Sequence, residues 1–338
     1  MATIKEIARL SGYSIGTVSR VINNNPHVSD NARNEIQAII KELGFEPNSV
    51  ARTLKQKTNK QILVIVKGRE NNYLSNLCEQ IERELRDSDK EMSVTYVSEN
   101  DDEVAHAVKL YNTQRPEGII FLGIDPKNFD DKFSVIDIPC VILTNMAKGL
   151  HFTNLSSFST NDTEAGKMVG EYLISKGHHN IGIVGGSRVD DDTCIDCLRY
   201  NGFVEALKGH GIPFDRNRQY VSSDFSYDGG YYATIELLKK NPDVSAIFAI
   251  ADIVAIGAMR ALEDSGKKVP DDVSIVGFDG IKQCDYTIPR LTTVCQNSKE
   301  FAHQGVTHLL NTIADPELVS VNGIVPFSLK EQESVKKI

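Results

Sequence analysis

Apolar positions in the first forty-five residues recur every three or four places, whereas from residue 61 onward they gather into short unbroken runs. The first pattern predicts amphipathic helices and the second predicts buried strands. Ile4, Ile7, Ala8 and Leu10 mark a first helix, opened by the capping-box arrangement Thr3-Ile4-Lys5-Glu6 and broken at Gly12. Ser14 can cap a second helix with Val18, Val21 and Ile22 inward, ended by Asn23-Asn24-Asn25-Pro26. Ser29 can cap a third, with Ile36, Ile39, Ile40 and Leu43 inward and Gly44 as its stop. Three short helices with a tight turn between the first two predict a small all-α helix-turn-helix head.

Beyond it the runs ILVIV (62–66), MSVTYV (92–97), GIIFL (118–122) and CVIL (140–143) form one set, and NIGIV (180–184), SAIFAI (245–250) and VSIVGF (273–278) a second. Helical patterns separate them, as in βαβ units with buried parallel sheets. One sheet holding all of them would be very large, so two α/β lobes are expected.

Charge changes the picture. The chain carries a formal net charge of −9, yet residues 1–60 hold nine Lys/Arg against five Asp/Glu, leaving the rest at −13. A basic head on an acidic body is the footprint of a nucleic-acid module joined to something else, although a solvated surface can show the same bias by chance. The longest apolar stretch, 244–259, is interrupted by Asp252, so no membrane span is expected. The N-terminus lacks a charged-then-apolar leader, which predicts a cytoplasmic protein. Six Cys in 338 residues do not suggest a disulfide framework.

The outer face of the second helix carries Ile15, Gly16, Thr17, Ser19 and Arg20. Thr17 and Ser19 can donate to phosphates, and Arg20 can fork onto guanine O6 and N7. The third helix is followed by GFEPNSVARTLK (44–55). Together, MATIKEIARLSGYSIGTVSRVINNNPHVSD and GFEPNSVARTLK resemble the lactose/galactose repressor family of bacterial transcription regulators, and the similarity runs through nearly the whole chain. The resemblance implies that the second helix enters the major groove, with Ile15, Gly16 and Arg20 at base-reading positions. It places Thr3, Ser14, Thr17, Ser19, Asn23, His27, Ser29 and Asn48 mostly against the DNA backbone. It makes Asn48–Lys55 a hinge helix whose Leu54, beside Ala51, wedges into a minor-groove step. So short a segment falls below the roughly 12–15 residues at which isolated helices become marginal, so it should form only when docked.

For the body, the resemblance implies a two-lobed core similar to periplasmic sugar-binding proteins. The expected domains are 1–47 as head, 48–60 as hinge helix and linker, and 61–338 as effector-binding and dimerisation core. The lobes are expected at about 61–160 plus 290–321, and about 161–289 plus 322–338. Ligands of such sheets sit beyond the carboxyl ends of the strands, here in the cleft between lobes. Arg199 and Asp279 match family positions that hydrogen-bond the effector. Tyr73 and Phe225 match positions where aromatic rings face it, although either could simply pack in a lobe core. Ala251 stands where sugar-binding members often carry Asn, and in LKEQESV, which resembles the family's final strand, Gln332 stands where Arg is common. Asp190-Asp191-Asp192 near the cleft mouth disfavours anionic ligands and points to a neutral sugar.

Other signals weigh less. Cys194 and Cys197 have CxxC spacing but no second pair, and His178-His179 reads better as a helix end meeting a strand than as a metal pair. GIVGGS lacks GxGxxG, and no nucleophile–base–acid set stands out. The expectation is a homodimeric repressor of a carbohydrate operon. It binds pseudo-palindromic double-stranded DNA under control of a small sugar, and has no catalysis, metal, cofactor or membrane partner. A sugar-binding transport protein and a sugar-acting enzyme are the alternatives.

Overall fold

The computed structural model describes residues 4–22, 28–43, 60–68, 71–99, 101–147, 149–187, 190–191 and 193–338. It divides into two units, Met1–Thr58 and Asn59–Ile338.

In the first unit, α1 (Ile4–Ser11), α2 (Ile15–Ile22) and α3 (Asp30–Glu42) enclose Ile7, Ala8, Val18, Val21 and Ile36. Ile22, Ile39, Ile40 and Leu43 pack on this core half-buried. Leu10, expected inward, is 49% exposed. Two places on from Ala8, it points to nearly the opposite side of the helix. Gly12 takes a left-handed φ of 69° at the turn, a conformation that needs no Cβ. The next residue, Tyr13, donates to Glu35 at 2.9 Å, so α3 holds the turn in place. Ser14 and Ser29 cap their helices as expected, accepting from Thr17 N at 3.1 Å and Ala32 N at 3.5 Å.

Among the described residues the second unit holds twelve strands: β1 (Gln61–Lys67), β2 (Glu91–Val97), β3 (Gly118–Leu122), β4 (Cys140–Leu143), β5 (Leu155–Ser159), β6 (Ile181–Gly185), β7 (Tyr220–Ser222), β8 (Ala246–Ala249), β9 (Ser274–Asp279), β10 (Thr292–Gln296), β11 (Asn322–Ile324) and β12 (Phe327–Lys330). They form two six-stranded sheets, ordered β11-β5-β4-β3-β1-β2 and β12-β10-β9-β8-β6-β7. Every pairing is parallel except β10 with β12.

Both faces of each sheet are covered, which explains the unbroken apolar runs. Along β1, Ile62, Val64 and Val66 point to one cluster, and Leu63 and Ile65 to another. The first face of lobe one packs on α4 (Asn72–Leu85) and α11 (Ser298–Ala314) through Leu77, Ile81, Phe301 and Leu309. The other face packs on α5 (Glu103–Gln114) and on Phe129 and Phe133. In lobe two, α6 (Asp162–Ser175) and α7 (Ile195–Gly209) cover one face. There α9 (Tyr227–Lys240) and α10 (Asp252–Asp264) cover the other; α8 (Arg216–Gln219) is a single turn before β7.

The lobes exchange chain later than expected. The segment 290–321 was assigned to lobe one, but β10 pairs with β9 and β12 in the second sheet. Conversely, β11 was assigned to lobe two and pairs with β5 in the first sheet. The last strand is FSLK (327–330), not LKEQESV. β10 is buried but built of TTVCQ, and β11 and β12 are largely exposed edges, so none carries the apolar run that announced β1 to β4, β6, β8 and β9.

The tightest packing is between α6 and α7. A Cβ built on Gly202 would lie 1.8 Å from Thr163 O, and one on Gly166 2.1 Å from Arg199 O. Backbone therefore rests on backbone, and no methyl group fits. Gly202→Ala should destabilise the core by about 1–3 kcal/mol through overpacking, despite the better helix propensity of Ala. Thermal and urea melts of the two proteins would measure it, and a gain in stability would contradict the packing.

Candidate ligand cleft and nucleic-acid face

Between the lobes lies a cavity of about 800 Å³, walled by Lys67, Leu74 and Asn145 of lobe one and by Ser187, Asp196 and Phe225 of lobe two. It sits beyond the carboxyl ends of the strands, as doubly wound sheets dictate. Helix starts converge on it. Asn71 caps α4, accepting from Tyr73 N at 3.0 Å and Leu74 N at 3.2 Å. Asp102 caps α5 through Ala105 N at 2.9 Å, and Asp125 caps the turn at 126–128 through Lys127 N at 3.0 Å. Carboxylates placed there complement the positive ends of the helices. Glu103, fully buried, pairs with Lys67 at 2.8 Å. It also accepts from Asp125 N at 2.6 Å and Asn128 Nδ2 at 2.8 Å, which joins β1, α5 and this turn into one rigid wall.

Two contacts span the mouth. Lys127 of lobe one pairs with Asp191 of lobe two at 2.8 Å, and Asn72 Nδ2 donates to the Tyr227 hydroxyl at 2.9 Å. Asp190 pairs with Arg216 at 2.7 Å. The acidic run at 190–191 is thus matched by cations, which weakens the expectation that it repels anions; Asp192 lies outside the described residues.

Three of the four expected residues, Tyr73, Arg199 and Asp279, lie within electrostatic reach of one another, all buried; of the four only Phe225 lines the cavity. Arg199 is 3% exposed. Its Nε donates to Asp162 at 2.8 Å, its Nη1 donates to Ile250 O at 2.6 Å, and its guanidinium lies 3.6 Å over the Phe278 ring. Burial alone would lower its pKa, but Asp162 and then Asp279 more than reverse this, so it stays charged. Asp279 ends β9 with a left-handed φ of 125°, a strained conformation for a residue with a side chain. The turn behind it is held by Asp252, which accepts from Ile281 N at 2.9 Å and from Thr293 Oγ1 at 2.6 Å. Asp279 Oδ1 accepts from Gln296 Nε2 at 2.7 Å. Burial pushes Asp279 up to about 8, with Arg199 opposing and Asp252 reinforcing.

Tyr73 lies in the first turn of α4, 4% exposed, and its hydroxyl has no hydrogen-bond partner among the described residues. Burial, and then the charge of Asp279, raises its pKa well above the ordinary value; Arg199 and Asp162 also bear on it. A buried hydroxyl without a partner costs about 1–3 kcal/mol, so this group is the strongest local sign of a ligand. Phe225, half-buried, packs on the apolar clusters at both faces of the lobe-two sheet and lines the cavity. It therefore packs in the lobe core and also borders the cavity.

Sequence reasoning missed Asp162, Asp252 and Gln296. The first two begin helices and read as ordinary N-terminal acids. Ala251 is fully buried at the start of α10 and gives no side-chain cap. Gln332 anchors the tail, donating through Nε2 to Leu291 O at 2.6 Å. His178 is wedged between Ser245 Oγ at 3.0 Å and Lys336 O at 3.2 Å, as a helix-to-strand junction. Cys194 borders the cavity, and Cys197 is buried.

On the head, Ser14, Gly16 and Arg20 are exposed along α2, with Ser29 exposed before α3. Thr17 Oγ1 and Ser14 Oγ are 2.9 Å apart. A Cβ on Gly16 would meet only Ser14 Oγ, at 3.7 Å, so backbone there can approach a partner closely. Ile15 and Ser19 lie on the same helix. Thr3, Asn23, His27, Asn48, Ala51 and Leu54 fall outside the described residues.

A helix-turn-helix unit attached to a two-lobed ligand-cleft core defines a class of ligand-responsive DNA-binding proteins. Residues 3–48 match the model for bacterial regulatory proteins of the lacI family, and 171–335 match a periplasmic binding protein-like domain. The HTH-type transcriptional regulator MalR of Clostridium butyricum is 35% identical over 325 residues, spanning 92% of each chain. The fold is similar to a transcriptional regulator CelR–cellobiose complex (TM-score 0.72, 25% identity, 99% of this chain and 100% of that one). It is equally similar to the lac repressor dimer bound to operator and the anti-inducer ONPF (TM-score 0.72, 25% identity, 99% of each chain). The chain belongs to the lacI family of bacterial regulatory proteins and is a DNA-binding transcriptional regulator with a ligand-binding type of core.

The Asp279 carboxyl supplies a test of the cleft. It holds its proton up to about pH 8 in the fold, whereas an unfolded Asp releases it near 3.9. Between those values the folded chain binds the extra proton, so stability should fall as pH rises from about 4 to about 8 and then level off. Melting temperatures across that range should show the decline. Asp279→Asn should flatten it, leaving the slope of the same sign from Asp252 and Asp162, both of which burial also raises.

Proposed function

We propose that this protein represses carbohydrate-utilisation genes. It binds a pseudo-palindromic operator as a homodimer and releases it when a neutral sugar enters the cleft between its lobes. The observation that carries the reading is the buried Tyr73 hydroxyl, which has no hydrogen-bond partner among the described residues and lies within electrostatic reach of Asp279 and Arg199. A carboxyl takes hydroxyl donors, a guanidinium takes ring or hydroxyl oxygens, and Phe225 offers a sugar an apolar face. The cellobiose held by the similar regulator supports this ligand class.

We assign 1–47 to the DNA-binding head and 48–60 to the hinge helix and linker, with Asn48, Ala51 and Leu54 at the minor groove. Ile15, Gly16 and Arg20 read bases, and Thr3, Ser14, Thr17, Ser19, Asn23, His27 and Ser29 contact the backbone. Tyr286 and Ile288, 74% and 96% exposed, leave apolar surface that a second copy would cover. The protein acts in the cytoplasm and turns over no substrate. A transport role is the weaker reading, because residues 3–48 match a DNA-binding module.

Arg20→Ala should cost about 1–3 kcal/mol in operator binding and relax the preference at one base pair of each half-site. Mobility shifts on operator variants would measure both; uniform weakening with preference intact would move Arg20 to the backbone. Asp279→Ala should abolish sugar binding while leaving operator affinity nearly unchanged. Calorimetry with cellobiose, maltose, lactose and ribose, paired with operator binding with and without each sugar, would test this. Normal sugar binding by Asp279→Ala would refute the cleft assignment, and a sugar that tightens operator binding would make the protein co-repressed. The coupling must be reciprocal: a sugar that weakens DNA binding binds less tightly to the DNA-bound form.

A further inference from the structure

The chain passes between the lobes at three places, after β5, after β10 and after β11. The three crossings are laced by hydrogen bonds. Val325 N, at the third crossing, donates to Ser159 O at the first, at 2.9 Å. Thr160 Oγ1, at the first crossing, donates to Gln296 Oε1 at the second, at 2.9 Å. The other end of the same amide donates to Asp279 Oδ1 at 2.7 Å. Thr160, Gln296 and Asp279 are 3%, 7% and 6% exposed. None of these groups can readily exchange its partner for water, so the chain of bonds is an obligatory one.

We propose that Gln296 is a positioning residue that ties the ligand-contacting carboxyl of Asp279 to the hinge between the lobes, with Thr160 as its anchor. The proposal rests on the reading of the cleft as the effector site. Its physical content is the placing of one carboxyl. Each carboxyl oxygen has two lone pairs, so a ligand hydroxyl can share Asp279 with Gln296, and a carboxyl turned toward the ligand pulls on the amide. The other end of that amide is the bond that joins the first crossing to the second. Occupancy at Asp279 is in this way felt at the hinge without any contact between ligand and hinge backbone. The pull is relieved only when one bond of the chain breaks, which gives the discrete arrangements that transmission between sites requires.

The test needs no effector. Spin labels carried by unnatural amino acids at Ser134 of lobe one and Arg218 of lobe two, both exposed, report the interlobe distance. Labelled chains are diluted into unlabelled protein. Wild type should give one narrow distribution. Gln296→Leu and Thr160→Val should each widen it about twofold, with folding verified by circular dichroism. Asp279→Asn, whose amide carbonyl can still accept from Gln296, should keep the narrow distribution. Unchanged widths in both Gln296→Leu and Thr160→Val would overturn the proposal, and so would an unchanged Thr160→Val alone if Gln296→Leu fails to fold. Widening in Asp279→Asn equal to that in Gln296→Leu would also count against it, since the carbonyl would not be rescuing the bond. Failure of the effector reading is recognised separately, by the calorimetry with Asp279→Ala.

Discussion

A guanidinium with almost no access to water must be paired, and the pairing of Arg199 with Asp162 organises the core around it. An unpaired charge there would cost several kcal/mol, so both partners have to arrive together. Asp162 starts the helix that follows the first crossing between lobes, and Arg199 lies in the helix after the next strand. They meet because Gly166 and Gly202 let those helices touch backbone to backbone. The cation then lies over Phe278, one residue from the strained Asp279. Helix packing and strand end are one arrangement.

The electrostatics of the cleft follow the same economy. Several carboxylates line it, yet Asp102 and Asp125 are engaged as caps, Asp101 accepts from Ser98 N and Asp224 from Ser226 Oγ. What is left unspent is the buried Tyr73 hydroxyl, beside a carboxyl that burial pushes up to about 8. A neutral polyol can satisfy these groups by hydrogen bonding and need not bring a counter-charge.

The buried polar groups also explain how one site can speak to the whole core. Asp279 is held from behind by the loop that Asp252 fastens, and from the side by Gln296 at a lobe crossing. Apolar packing alone would slip by small amounts. A hydrogen-bond chain either has its partner or lacks it, and a rotation of lobes needs that kind of discrete change.

Sequence by itself determined the secondary structure of the head, seven of the strands of the two lobes and the type of protein. Those features rest on local periodicity, capping residues such as Ser14 and Ser29, and a dense family motif. It also singled out Arg199 and Asp279. Only the tertiary structure decided which lobe takes β10 and β11, because a buried strand of polar residues and a short exposed one carry no apolar run. It alone gave Arg199 its partner and Asp279 its tether, since Asp162 and Gln296 lie 37 and 17 residues away along the chain. Periodicity reports which face of an element is buried; it holds no information on which distant polar group will share that burial.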